Sequence, residues 1–160
     1  MINSDMFGSH IPILVKILER TDGKVLDLGM GISTFIIHAM AKQTKRKVVS
    51  YETYPSWYRE YTSYQTDWHD IRLVNDWDKA DIDNDFWDVA LVDHHPAKRR
   101  QEEVRRLANN CNYILLHDSD IFSWHYKGTK IYDLFKYKYN YDKCSPNTMV
   151  LSNFKDLSDL

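Results

Sequence analysis

Apolar residues along this chain come in short blocks split by polar stretches. The blocks are Val25-Leu26 with Leu28, Val48-Val49, Ile71 with Leu73-Val74, Trp87 with Val89-Ala90-Leu91-Val92, and Tyr113-Ile114-Leu115-Leu116. Short runs this rich in Val, Ile and Leu predict strands buried on both faces. Between them the spacing becomes helical. Ser9 is placed to cap a helix over 11–20, with Ile11, Leu14, Val15 and Leu18 on one face. A second helix is predicted over 33–42. Pro55 suits the first turn of a third, running to about residue 64. Pro96 opens a fourth to about residue 109, with Val104 and Leu107 towards the sheet and Lys98, Arg99, Arg100, Arg105 and Arg106 mostly towards water. Residues 121–134 read as a partly helical loop. Strands alternating with helices predict an α/β fold whose parallel sheet is covered on both faces.

The first strand runs into Asp27-Leu28-Gly29-Met30-Gly31-Ile32-Ser33-Thr34. Two glycines let the backbone turn sharply and approach a ligand closely. The helix behind them presents free N–H groups. An acid ahead of the glycines opposes a pyrophosphate and suits a cationic ligand rich in hydroxyl and amino donors. A dinucleotide fingerprint also fails at Thr34, which stands where its third glycine belongs.

Polar groups recur where each later strand ends. The second ends at Glu52, the third at Asn75-Asp76-Trp77, the fourth at Asp93-His94-His95 and the fifth at His117-Asp118. Ligands bind at the carboxyl ends of strands in open α/β sheets. An acid after the second strand suits ribose hydroxyls. A carboxylate and a flat ring at Asp76-Trp77 suit an adenine amino group and its face.

In these residues the chain resembles a class I S-adenosylmethionine-dependent methyltransferase. The resemblance covers roughly residues 10 to 155. It implies a three-layer, Rossmann-like fold: a mostly parallel central sheet, helices on both faces, and a C-terminal antiparallel hairpin over 135–141 and 148–154. It implies that Asp27, Leu28, Gly29, Gly31, Ser33 and Thr34 form the loop around the methionine part of S-adenosylmethionine. It places Glu52 on the ribose, Asp76 and Trp77 on the adenine, and Asp93 close to the transferred methyl.

Asp93, His95 and His117 are the candidate catalytic residues. A histidine near neutral pKa removes a proton from an attacking hydroxyl. Alternatively Asp93 and Asp118, with His117, hold a divalent Mg²⁺ or Mn²⁺ that acidifies the hydroxyl. His117 in place of a carboxylate weakens the hard-cation version, so the histidine base is preferred. His10 reads as a surface histidine near a helix start, with a capping role over the site as the alternative. Arg99 or Arg100 is placed to hold an anionic group of the substrate. The aromatic run Tyr54, Trp57, Tyr58 and Tyr61 has helical spacing and reads as packing on the sheet rather than as a stacking platform.

Length and composition narrow the setting. At 160 residues the chain is expected to be one domain, 1–160. A net charge of −2 gives no electrostatic case for nucleic acid. No apolar run approaches the ~20 residues of a membrane span, and the start lacks a signal peptide's charged and apolar blocks. Cys111 and Cys144 make neither a disulfide framework nor a zinc pattern, so a reduced, cytoplasmic setting is expected. No Asn/Asp-Pro-Pro-Tyr/Phe segment and no Pro-Cys pair follows the fourth strand. The expected reaction is therefore O-methylation of a small-molecule, sugar or glycan hydroxyl. The alternatives are a catalytically silent module that binds the same cofactor or a nucleotide, and a different reaction on that cofactor. With no added lid, the acceptor pocket is open or is completed by a second copy in a homo-oligomer.

Overall fold

The computed structural model describes residues 8–126 and 128–160. Its sheet has seven strands: β1 (Val25–Leu28), β2 (Val48–Glu52), β3 (His69–Leu73), β4 (Trp87–Val92), β5 (Cys111–His117), β6 (Tyr137–Tyr141) and β7 (Thr148–Ser152). They lie in the order β3-β2-β1-β4-β5-β7-β6. β1 to β5 pair in parallel. β7 runs antiparallel beside β5, and β6 pairs antiparallel with β7 at the edge. The order reverses between β1 and β4, and such a switch point opens a crevice at the strand ends.

Among the described residues five α-helices accompany the sheet: α1 (Ile11–Leu18), α2 (Ile32–Thr44), α3 (Pro55–Tyr61), α4 (Arg100–Leu107) and α5 (Ser123–Tyr126). Side chains alternate across each strand, so the sheet feeds two cores. Leu26, Leu28, Ala90, Val92, Ile114 and Leu116 meet Val104 and Leu107 of α4. Val25, Val48, Val89, Leu91 and Leu115 meet Ile13, Leu14 and Ile17 of α1 and Ile37 and Ala41 of α2. No helix among the described residues is long and apolar enough to cross a membrane.

Several local expectations change. α1 buries Ile13, Leu14, Ile17 and Leu18, whereas Ile11 and Val15 are not buried. Its sequence is apolar nearly all round, so spacing alone does not pick the face. Ser9 does not cap α1; its hydroxyl turns to Pro146 and His117. After Pro96 the chain makes a 3₁₀ turn over Ala97–Arg99 before α4 begins. The delay rotates the helix, and Arg100, Glu103, Val104 and Leu107 share its buried face. Arg100 therefore does not face water. α3 buries none of its residues, so its aromatics are not core.

Gly29 is the position where the turn demands glycine. Its φ is +98°, and a Cβ there would stand 2.7 Å from the His94 Cα. The loops after β1 and β4 thus touch backbone to backbone at the switch point. Gly29→Ala is expected to cost about 2 kcal/mol or more, read as a lower urea midpoint.

Candidate active site

The crevice is a cavity of about 730 Å³ lined from the glycine loop, the end of β2, α3, and the ends of β4 and β5. Gly29, Gly31, Ser33, Glu52, Asp93, His95, His117 and Asp118 all line it, together with Met30 and Ile32. Asp27, Leu28, Thr34, Asp76 and Trp77 do not.

Each absence has a physical reason. Leu28 points into the core. Asp76 is exposed, and its carboxylate accepts the Asp78 N–H to cap a short 3₁₀ turn. Trp77 is buried, donates its indole N–H to the His95 carbonyl at 2.9 Å, and stacks on His94. The expected adenine platform at Asp76-Trp77 is therefore spent on structure. The aromatic rings that do reach the cavity are Tyr54, Trp57 and Tyr61 at α3, with Phe122 beyond the end of β5. Trp57 is 49% exposed, too much for a core role. The signal was present as helical spacing of aromatics, but spacing does not say whether a stripe meets the sheet or a ligand.

Asp27 is fully buried beneath the loop. Its Oδ2 accepts from the Thr34 hydroxyl at 2.7 Å and the Ser50 hydroxyl at 2.8 Å. Thr34 Oγ1 in turn accepts the Gly31 N–H at 3.0 Å. Ser50, having donated to Asp27, accepts from His69 Nε2 at 2.9 Å, and His69 Nδ1 lies 3.0 Å from His38 Nδ1. Burial drives the Asp27 carboxyl up to about 7, against the two hydroxyl hydrogen bonds. Burial likewise lowers His69 to about 4, so that imidazole is neutral.

Glu52 sits differently. Its Oε2 accepts the Met30 N–H at 3.0 Å, and its Oε1 accepts those of Thr53 and Tyr54 at 2.6 and 2.9 Å. These bonds fix the carboxylate at the cavity wall. The Thr53 hydroxyl also reaches Oε1, at 3.5 Å, whereas Oε2 has the Met30 N–H as its one donor among the described residues and keeps a second acceptor site for a ligand.

The ends of β4 and β5 converge as expected. His117 Nδ1 lies 3.0 Å from Asp93 Oδ1, and its Nε2 lies 2.9 Å from Ser9 Oγ. Arg100, 5% exposed, binds both neighbouring carboxylates. Its Nη2 is 3.0 Å from Asp93 Oδ1 and its Nη1 is 3.0 Å from Asp118 Oδ2, with further bonds to the His94, His117 and Asp93 carbonyls. Burial pushes Asp93 up, but the His117 hydrogen bond and the charges of His117 and Arg100 outweigh it, and the net shift is down. In Asp118 burial wins and the shift is up. Asp93 and Asp118 are thus not a bare carboxylate pair for a hard cation, because a guanidinium bridges them. Arg100 is likewise too saturated to hold an anionic substrate group.

His10 is the unexpected member. It is 1% exposed and packs edge-on against His117 at 4.2 Å between centroids. Neither of its ring nitrogens has a partner among the described residues. Burial, then the His117 charge, lowers it to about 4. His95 is the free imidazole at the cavity mouth, beside Tyr54 at 5.8 Å. His94 is buried against Glu103 at 2.9 Å, and His125 lies outside the cavity.

A search of protein families and of curated proteins finds no match to this chain. Solved structures do match. Human methyltransferase-like protein 13, in complex with SAH, superposes with a TM-score of 0.59 at 15% identity, over 91% of this chain and 78% of that one. The T. thermophilus 16S rRNA N2 methyltransferase RsmC, in complex with AdoMet and guanosine, gives a TM-score of 0.51 at 17% identity, over 88% of this chain and 38% of that one. The chain has the fold of the class I S-adenosylmethionine-dependent methyltransferases.

The Asp27 titration is testable. Between 3.8, the ordinary aspartate value, and about 7 the unfolded chain binds fewer protons than the folded one. Stability from this group is therefore full below that window and falls as pH rises through it. Asp27→Asn keeps one oxygen for Thr34 and Ser50 and removes the charge. Its melting temperature is expected to fall less than that of the parent between pH 4 and 7; equal slopes would place the Asp27 proton elsewhere.

Proposed function

We propose that this protein is an S-adenosylmethionine-dependent methyltransferase acting on a hydroxyl of a small molecule, sugar or glycan. The observation that carries the cofactor is the pairing of an open glycine loop with the Glu52 carboxylate on one cavity wall. A Cβ on Gly31 would meet nothing within 4 Å, so the loop faces free space. Charge points the same way. The cavity lining carries Glu52, Asp93 and Asp118 against one cation, Arg100, which is already paired. That field favours a sulfonium amino acid over a pyrophosphate.

When bound, S-adenosylmethionine supplies an electrophilic methyl group on sulfur. The chain's own residues bind and orient around it. Glu52 has an acceptor site for ribose hydroxyls. Tyr54 and Trp57 offer flat faces to the base, in the role first expected of Trp77. Ser33 and the Gly29–Gly31 backbone line the methionine side. Methyl transfer is an in-line displacement, so alignment carries much of the rate. A hydroxyl acceptor must also lose its proton. His95 is an exposed imidazole at the cavity with no side-chain hydrogen bond among the described residues, whereas the other unpaired ring, His10, is buried; His95 is the proposed base. His117 is held by Asp93 and Ser9 and shapes the field at the acceptor. The cavity mouth, with exposed Ile32, Trp57 and Ile121, suits an acceptor with an apolar face.

Glu52→Gln is expected to weaken S-adenosylmethionine binding about tenfold or more, because a hydrogen bond to a charged group contributes ~1.5–3 kcal/mol. Calorimetry on the folded variant reads it, and unchanged affinity defeats the ribose assignment. In a melting screen, S-adenosylmethionine or its demethylated product should raise the transition more than NAD. A ligand at 100 times its dissociation constant stabilises by ~2.7 kcal/mol.

Once an acceptor is found, His95→Ala should lower turnover by ~10²–10⁴ with cofactor affinity nearly intact. Turnover within twofold of the parent would remove His95 from the reaction.

A further inference from the structure

The cluster at the ends of β4 and β5 leaves one hydrogen-bonding question open. Ser9 has a single hydroxyl hydrogen, and it goes to the Pro146 carbonyl at 2.7 Å. The Ser9 oxygen must then accept from His117, so Nε2 of that ring carries a hydrogen. In the neutral imidazole this leaves a lone pair on Nδ1. That lone pair faces Asp93 Oδ1 at 3.0 Å. Two acceptors at that distance repel; a proton on Nδ1, which makes His117 a cation hydrogen-bonded to Asp93, relieves them, and so does a metal ion that takes the proton's place.

His10 faces the same place. One donor atom each from His10, Asp93 and His117 lies within 4.8 Å of the others. His10 is almost completely buried with both nitrogens unpaired among the described residues, and it lines the cavity. A buried imidazole without a partner is costly, and an ion in contact with it removes the cost. Asp93 Oδ2 has no protein donor among the described residues, although Oδ1 is shared by His117 and Arg100.

We propose that His10, Asp93 and His117 form a binding site for a divalent transition-metal ion, with its remaining coordination positions open to the cavity. Two imidazoles and one carboxylate form a donor set for Zn²⁺, Co²⁺, Fe²⁺ or Mn²⁺ rather than for Mg²⁺ or Ca²⁺, which take oxygen. The outer contacts match what such sites use. A metal-bound histidine usually donates its other N–H to an oxygen that fixes the tautomer; here Ser9, anchored on Pro146, takes that N–H. Arg100 is the local cation that opposes a metal. It is offset by Asp93 and Asp118, so with neutral imidazoles the cluster carries one net negative charge before the metal enters. The site replaces the Asp93/Asp118 pair as the place for an ion. Its role, lowering the pKa of an acceptor hydroxyl held at an open position, rests on the methyl-transfer reading; its existence does not.

The test is metal binding to the full chain before any cofactor is added. Co²⁺ is titrated and followed by its visible absorption, and Zn²⁺ and Mg²⁺ are titrated by calorimetry. One equivalent of Co²⁺ and Zn²⁺ per chain is expected, with Mg²⁺ much weaker. His10→Gln should lower Zn²⁺ affinity about tenfold or more, and Ser9→Ala, which removes the acceptor of the His117 Nε2–H together with the bond to Pro146, by ~10–100-fold. Ser9→Ala serves where His10→Gln does not fold. His125→Ala, outside the cavity, should leave binding unchanged. No saturable Co²⁺ or Zn²⁺ binding overturns the proposal, as does binding unaffected by both His10→Gln and Ser9→Ala, or Mg²⁺ bound more tightly than Zn²⁺. S-adenosylmethionine binding is measured on the same metal-free protein, so failure of the metal site and failure of the cofactor reading give separate results.

Discussion

A carboxylate buried where no solvent reaches it holds the glycine loop in shape. Asp27 ends in the core beneath the glycine turn, and its Oδ2 takes hydroxyls from α2 and β2. Thr34 then takes the Gly31 N–H, so the loop, the first turn of α2 and the neighbouring strand meet at one side chain. Glu52 completes the arrangement from the other side by accepting the Met30 N–H. The two acids therefore divide the work. One is spent on keeping the loop in place, and the other holds the loop while still facing the cavity. Removing the Asp27 contacts would free α2 to move against β2, and with it the wall on which a ligand must rest.

The division was not visible in the chain. Strand blocks, the glycine turn and the order of acids at strand ends were legible, because periodicity and turn chemistry are local properties. Which carboxylate faces the cavity is not local. It depends on the pleat, which sends Asp27 to the same face as Val25 and into the core. The same holds for Arg100. Counting charges along residues 98–106 suggests a solvated helix, yet a 3₁₀ turn after Pro96 shifts the register and buries that one arginine. Trp77 and Trp57 exchange their expected environments for a related reason. The indole of Trp77 finds a carbonyl partner in the core, whereas α3 lies too far out to bury anything.

His10 shows the limit most clearly. Nothing in its neighbours distinguishes it from a surface histidine ahead of a helix. It comes to the β5 end because α1 packs on the sheet through Ile13, Leu14 and Ile17, and because Ser9 bonds across to Pro146 and His117. The two Ser9 bonds join segments more than a hundred residues apart in the chain. A pattern of sequence spacing cannot contain them.

The charges around the cavity leave a place for a cation beside a buried arginine. Asp93 and Asp118 lie on adjacent strand ends and would repel each other if left alone at low dielectric. Arg100 ties them together and, being bonded to three backbone carbonyls as well, cannot swing towards a ligand. It cancels one carboxylate and leaves the other to act. The surplus negative charge then falls on Asp93, beside two imidazoles and facing the open cavity. A fixed guanidinium thus does what a second histidine or a buried amide could not: it stabilises the fold of the β4 and β5 ends while leaving a single uncompensated carboxylate. Glu52 supplies the second at the opposite wall. A cationic ligand would lie between two negative walls, one of which also carries the imidazoles.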